Sequence, residues 1–181
     1  GLSRPHMPFK AVLMAILISP MIVPLIITAA GMFFFYSKIG LTHTYLGLIL
    51  AHTALGTPFV VITVTATLTG FDTNLIRASQ SLGADTMRTF FKVIMPLILP
   101  GVISGGLFAF ITSFDEVVVV MFIGSVEQIT IPKQMWAGLR QETSPVILCM
   151  ATCLVALSIG LLTTVELLRR RSERLRGIKL R

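Results

Sequence analysis

Few side chains that could do chemistry lie within the apolar stretches of this 181-residue sequence. Asp115 and Glu116 are adjacent carboxylates near the end of one apolar run, and His52 lies inside another. Cys149 and Cys153 are one helical turn apart, but no His or carboxylate joins them at metal-ligand spacing, so we assign them no role. Without a nucleophile–base pattern or a metal-ligand pattern, we predict no catalytic residue and no metal site.

The two acids are open to two interpretations. Carboxylates inside a membrane are rare and usually face protein or a water-filled cavity, so Asp115 and Glu116 are candidates for a translocation path that attracts a cationic solute. Alternatively they are structural, either paired with a basic residue of a partner or capping a break in a helix.

His52 is interpreted as a packed polar residue. Trp136 is interpreted as an anchor at the membrane surface, with contact to a solute-delivering protein as the alternative.

The composition explains why acids in these runs are informative. Hydrophobic residues make up 54% of the chain and charged residues 13%, against about 25% charged in soluble domains. Mean hydropathy is +0.87. Crossing the hydrocarbon takes about 20 apolar residues, and four stretches are long enough. We therefore predict an all-α, polytopic transmembrane helical bundle forming a single domain over residues 1–181, with spans at about 11–36, 44–68, 97–123 and 146–168.

Lys and Arg placement predicts the orientation. Twelve of the 15 basic residues fall on the side that holds both ends and the segment between the second and third spans, and only Lys38, Lys133 and Arg140 fall on the other. The positive-inside rule places the first side in the cytoplasm, including a basic tail at 169–181. Basic residues next to span ends contact membrane lipid, so no nucleic-acid partner is predicted. The chain is expected to be a multi-pass protein of a bacterial plasma (inner) membrane.

Residues 72–96, called the coupling segment below, form a polar segment outside the membrane between the second and third spans. Asp72 or Thr73 is suited to begin a helix from Asn74 to about Leu82, and Gly83 to stop it. Asp85 is suited to cap a second helix that reaches Ile94 and ends at Pro96. Each helix has one apolar face, as a partner-docking or membrane-surface helix does.

Two further patterns concern packing. Pro20 and Pro24 in the first span predict a kink. Threonines in the second span, and the small residues Gly101, Gly105, Ala109 and Ser113 spaced four apart in the third, predict close helix–helix contact inside a bundle.

The coupling segment also carries a motif. Arg77-Ala78-Ser79, then Gly83-Ala84, then Val93-Ile94-Met95-Pro96 fall on the spacing of the cytoplasmic loop of ABC importer permeases, which reads E-A-A, three residues, Gly, nine residues, I-x-L-P. The chain resembles that family, in particular the spermidine/putrescine permease type, which has a Ser-Phe-Asp-Glu stretch like the one ending at Glu116. Family members have six spans, so the chain resembles their last four. Arg77 replaces the family's glutamate, whose role is not carried over.

The resemblance implies a type I ABC importer permease-like fold and a role without catalysis. Arg77, Ala78, Ser79, Gly83, Ala84 and Pro96 would couple the spans to an ABC ATPase subunit dimer. That ATPase would bind ATP and Mg, since the sequence has no G-x-x-x-x-G-K-[ST] loop and no cofactor is expected in this chain. A second permease subunit and an extracytoplasmic substrate-binding protein complete the implied assembly, with a polyamine or similar small solute as cargo. The alternatives are a stand-alone secondary transporter or channel, and a membrane-embedded enzyme.

Overall fold

The computed structural model describes residues 7–141 and 145–175, and within them it contains helices and no strand. The predicted all-α class is therefore confirmed. The helices are α1 Lys10–Ile22, α2 Leu25–Lys38, α3 Tyr45–Thr69, α4 Asn74–Ser81, α5 Thr86–Thr89, α6 Met95–Phe114, α7 Val118–Ile123, α8 Ile131–Gln141 and α9 Pro145–Leu175, with a π-helical turn at Phe90–Ile94 between α5 and α6. Arg4 and residues 176–181 of the predicted tail lie outside the described residues.

Three helices are long and apolar enough to cross a membrane, and a fourth candidate is the bent pair α1 and α2. The two helices of that pair meet at 109°, so the stretch at 11–36 is broken and not merely kinked. The break has a local cause. Val23 precedes Pro24, which disfavours helical backbone at Val23, and Val23 is extended, with φ −73° and ψ 136°.

Helices α3 and α6 form the most extensive contact between elements among the described residues. The predicted stripe of small residues lies at this contact. A Cβ atom added to Gly101 would overlap the Thr67 hydroxyl, and one added to Gly105 would overlap the Thr63 hydroxyl. Further along, a Cβ on Gly56 would come within 2.9 Å of the Cβ of Ala109. The two backbones approach this closely because side chains are small at each crossing point.

The third predicted stretch, 97–123, does not form one helix. Helix α6 ends at Phe114, and α7 begins at Val118 after Asp115, Glu116 and Val117. Helix α7 is short, but its Val119 and Ile123 side chains are fully buried against α2 and α3. The backbone N–H of His43 donates to the Ile123 carbonyl at 2.8 Å, which joins the α2–α3 loop to the end of α7. Helix α8 lies between the third and fourth predicted spans and packs on α9.

Candidate functional site

The coupling segment begins with helix α4, whose first turn is held by Asp72. The Asp72 carboxylate accepts a hydrogen bond from the Asn74 backbone N–H at 2.9 Å. Thr73 occupies the N-cap position, but its side chain makes no capping bond. Of the two predicted capping residues, Asp72 therefore supplies the side-chain acceptor.

Helix α4 ends in a Schellman motif that requires Gly83. The Ala84 N–H donates to the Ser79 carbonyl at 3.1 Å and the Gly83 N–H to the Gln80 carbonyl at 2.9 Å. Gly83 has φ +81°, a conformation that side chains with a Cβ rarely adopt. The chain then enters α5, whose first turn is capped by the Asp85 carboxylate accepting from the Arg88 N–H at 2.7 Å. The predicted helix stop at Gly83 and cap at Asp85 are both confirmed, and residues 82–85 form an elbow.

A pair of hydroxyls connects the two sides of this elbow. The oxygen atoms of Ser79 on α4 and Thr89 on α5 are 2.8 Å apart, within hydrogen-bond distance. Thr89 is only 2% exposed. Hydrogen bonds between buried groups fix geometry because breaking them leaves a polar group without a partner. Ser79 therefore ties α4 to the helix that follows it.

The prediction that Pro96 ends the second helix is wrong. Residues Thr86–Phe114 form one helix of 29 residues. Within this helix the Met95 backbone N–H donates to the Phe90 carbonyl, which is the i→i+5 pattern of a π-helical turn. Such a turn absorbs the irregularity that comes with the missing N–H of Pro96, and π turns are frequent at functional sites. Pro96 lies about 15 Å along the helix from Thr86, so it does not belong to the elbow.

The elbow and the helices on either side of it expose apolar side chains. Leu82 is 88% exposed, and Leu75, Met87 and Phe91 are also exposed. A groove of about 460 Å³ runs between the elbow and the first turns of the long helix, lined by Gly83, Asp85, Met87, Arg88, Phe91 and Lys92. Of the other predicted coupling residues, Arg77 and Ala78 are exposed and Ala84 is partly buried. Exposed apolar patches bordered by charge are typical of protein–protein contact surfaces.

The two acids after α6 lie in different surroundings. Glu116 is 6% exposed, and its carboxylate accepts from the Val119 N–H at 2.8 Å, so it caps the first turn of α7. Asp115 is exposed and lines a cavity of about 400 Å³ between the end of α6, α8 and α9. The capping geometry at Glu116 matches the structural alternative stated above. The path role of both acids stays a prediction.

A larger cleft of about 960 Å³ lies between α3 and α6, beside the loop that precedes α8. On its α3–α6 side, His52 Nδ1 and the Ser113 hydroxyl are 2.8 Å apart. This contact lies on the same side of α6 as Gly101, Gly105 and Ala109, where α3 and α6 approach each other closely. His52 is thus partly buried and hydrogen-bonded across helices, as the sequence predicted for a packed polar residue. The polar residues that line the cleft include Thr53, Thr57, Glu127 and Gln128.

Sequence reasoning missed two residues of these sites. Thr89 lies on an amphipathic helix without any local pattern that marks it, and its partner Ser79 is ten positions away. Glu127 precedes α8 in a loop of mixed charge. Its charge was visible, but its place beside α3 and α6 depends on how the chain folds back. Across residues 7–141 and 145–175, no three His, Cys, Asp or Glu side chains come together as metal ligands do.

Comparison with known proteins gives a family and several relatives. The family model described as the binding-protein-dependent transport system inner membrane component matches residues 2–174. The spermidine/putrescine transport system permease protein PotC of Haemophilus influenzae is 31% identical over 153 residues, covering 84% of this chain and 60% of that protein. The putrescine transport system permease protein PotI of Escherichia coli is 26% identical over 171 residues, covering 89% and 60%. The chain thus spans about 60% of the length of these two relatives.

A third relative differs in its cargo. The molybdenum transport system permease protein ModB of Escherichia coli is 31% identical over 192 residues, covering 96% of this chain and 83% of that protein. The relatives therefore agree on the kind of protein and differ in the solute that their names specify.

Proposed function

Because the chain belongs to the family of binding-protein-dependent transport inner membrane components, which are permeases of ABC importers and not enzymes, we propose that it forms part of the path by which such an importer moves a small solute across the bacterial inner membrane. A separate ABC ATPase dimer binds ATP and Mg and drives the cycle. A second permease subunit, identical or homologous, completes the path. An extracytoplasmic binding protein delivers the solute.

The observation that carries this proposal is the elbow with its exposed apolar side chains. An apolar helix face that docks in a groove on a partner contributes affinity through the area it buries. The Ser79–Thr89 contact and the Schellman turn connect α4 to the helix Thr86–Phe114. A movement of the ATPase at α4 would thus reach the end of α6. Arg77, Ala78, Ser79, Gly83 and Ala84 are the proposed coupling residues. Pro96 acts further along the helix, just after the π-helical turn.

Co-purification tests the proposal directly. The tagged permease, expressed with its ATPase, is purified as wild type and with Leu82→Asp. Burying a leucine contributes about 1.5–3 kcal/mol to the binding free energy. The amount of ATPase that co-purifies with the variant should therefore be lower by about tenfold or more. Val126→Asp is the matched control, because Val126 is 90% exposed but lies beyond the other end of the long helix. A permease that purifies alone and transports without ATP would instead be a stand-alone transporter or channel.

For the cargo we propose a cationic solute of the polyamine class. Two of the relatives are named for polyamines and one for molybdenum. Among the residues that the structure describes, the charged ones lining the cleft and the cavity beside the end of α6 are carboxylates, Glu127 and Asp115 respectively. Carboxylates attract ammonium groups and repel an oxyanion. Uptake of labelled putrescine and not of molybdate is the expected result, and preferential molybdate uptake would contradict it.

A further inference from the structure

The cleft between α3 and α6 combines apolar walls with polar side chains, among them two threonines of α3. Ile49 and Val60 of α3 and Phe110 of α6 supply apolar surface. The Thr53 hydroxyl donates its hydrogen to the Ile49 carbonyl at 2.7 Å, and the Thr57 hydroxyl donates to the Thr53 carbonyl at 2.7 Å. Since each hydroxyl has one hydrogen, both oxygens can only accept a further hydrogen bond. The two threonines therefore present acceptors.

Glu127 adds a carboxylate, which is also an acceptor. It is the one charged residue among those that line the cleft within the described chain. Lys133 lies close in sequence, but its ammonium donates to the Ser125 carbonyl at 3.0 Å and to the Gln128 carbonyl at 3.1 Å. The buried Gln128 side chain in turn accepts from the Ser125 N–H at 2.9 Å. These bonds hold the loop that carries Glu127.

A protonated amine is the complement of this arrangement. An ammonium group has three donors and no acceptor, and it matches threonine oxygens and a carboxylate. A methylene chain matches apolar walls. An oxyanion would instead meet the like charge of the Glu127 carboxylate.

The cleft is also placed to respond to the coupling segment. Phe110, Ser113 and Phe114 line it and belong to the same continuous helix as Thr86 at the elbow. The opposite wall is α3, which is packed against α6 through Gly101 and Gly105. A displacement of the long helix at the elbow changes the position of one wall relative to the other.

We propose that this cleft is a binding site for an aliphatic amine in transit and that Glu127 is the residue that selects for positive charge. The inference rests on the proposed importer function and identifies the site within it. The threonine oxygens orient the ammonium group, and the apolar walls accommodate the chain.

Glu127→Gln tests the site, since it removes the charge and keeps nearly the same shape. In cells that express the complete transporter, the apparent KM for labelled putrescine should rise about tenfold, with ATPase co-purification unchanged. Glu127→Asp keeps the charge and should restore most of the uptake. Thr53→Val, which removes one acceptor at constant size, should raise KM about fivefold, as expected for one hydrogen bond of about 1 kcal/mol.

Two outcomes separate this inference from the proposed function. If the Glu127→Gln transporter takes up putrescine at the wild-type level, with its ATPase still bound, the site is overturned and the importer function stays in place. If the wild type retains no ATPase, the importer proposal fails. The site is then decided by calorimetric titration of the purified permease with putrescine. Binding to wild type that is weakened in Glu127→Gln would uphold it, and equal or absent binding would overturn it.

Discussion

Asp115 and Glu116 are neighbours in the chain, but at the scale of the residue they have different surroundings. Glu116 is buried and its carboxylate holds the first turn of α7. Asp115 ends α6 and lines the cavity shared with α8 and α9. The sequence alone could not separate them, because a break between two helices turns adjacent side chains in different directions.

Substitution of Glu116 distinguishes a cap from a path residue. Glu116→Gln keeps a side-chain oxygen that can accept from Val119, so a capping role predicts near-normal stability and uptake. Glu116→Ala removes the acceptor, which costs about 1 kcal/mol and should lower Tm by about 2–4 °C. Thermal unfolding of the purified protein and putrescine uptake are the measurements. Loss of uptake in the Gln variant at unchanged Tm would instead favour a charge in the path.

At the scale of the element, the coupling segment is the part of the chain whose helix starts and stops could be predicted most fully from nearby residues. Asp72, Gly83 and Asp85 act on backbone groups within a few residues of themselves. Their effects could therefore be predicted from spacing. Pro96 was predicted to end its helix because it lacks an N–H. The helix continues because the π-helical turn at Phe90–Ile94 precedes it. That turn has no comparable sequence signal.

The Ser79–Thr89 contact gives a prediction about coupling. Thr89→Val removes one hydroxyl at similar volume, and a hydrogen bond contributes about 1 kcal/mol. We expect solute transported per ATP hydrolysed to fall about fivefold, with the amount of bound ATPase unchanged. The control is Ser81→Ala, because the Ser81 hydroxyl donates to the Arg77 carbonyl of its own helix, at 3.0 Å. Equal stoichiometry in Thr89→Val and Ser81→Ala would show that the contact plays no part in coupling.

The α3–α6 contact gives a second prediction at this scale, from two adjacent glycines. A Cβ at Gly105 meets the Thr63 hydroxyl, whereas one at Gly106 meets nothing within 4 Å. Gly105→Ala should thus destabilise the protein by about 1–3 kcal/mol through overpacking. Gly106→Ala should stabilise it by up to about 1 kcal/mol, because Ala favours helix over Gly. Thermal unfolding of both variants in detergent measures the difference. Equal Tm values would contradict the close packing.

At the scale of the whole molecule, the proposed orientation places the coupling segment and the loop before α8 on opposite sides of the membrane. Accessible cysteines test it in a background where Cys149 and Cys153 are replaced by Ser. A maleimide that cannot cross membranes should label Val126→Cys in intact cells. It should label Ser81→Cys only after permeabilisation. The reverse labelling pattern would contradict the inward orientation of the basic residues.

The sequence by itself determined the all-α class, the apolar stretches and the turn at Gly83. These follow from composition and from interactions between residues close in the chain. Pro24 already marked a bend in 11–36, but only the tertiary structure decided that Glu116, and not Asp115, is the buried cap. It also decided that Glu127 lies beside α3 and α6 and that His52 reaches Ser113, 61 residues away. Contacts of that kind depend on which helices pack together, and spacing along the chain does not record that choice.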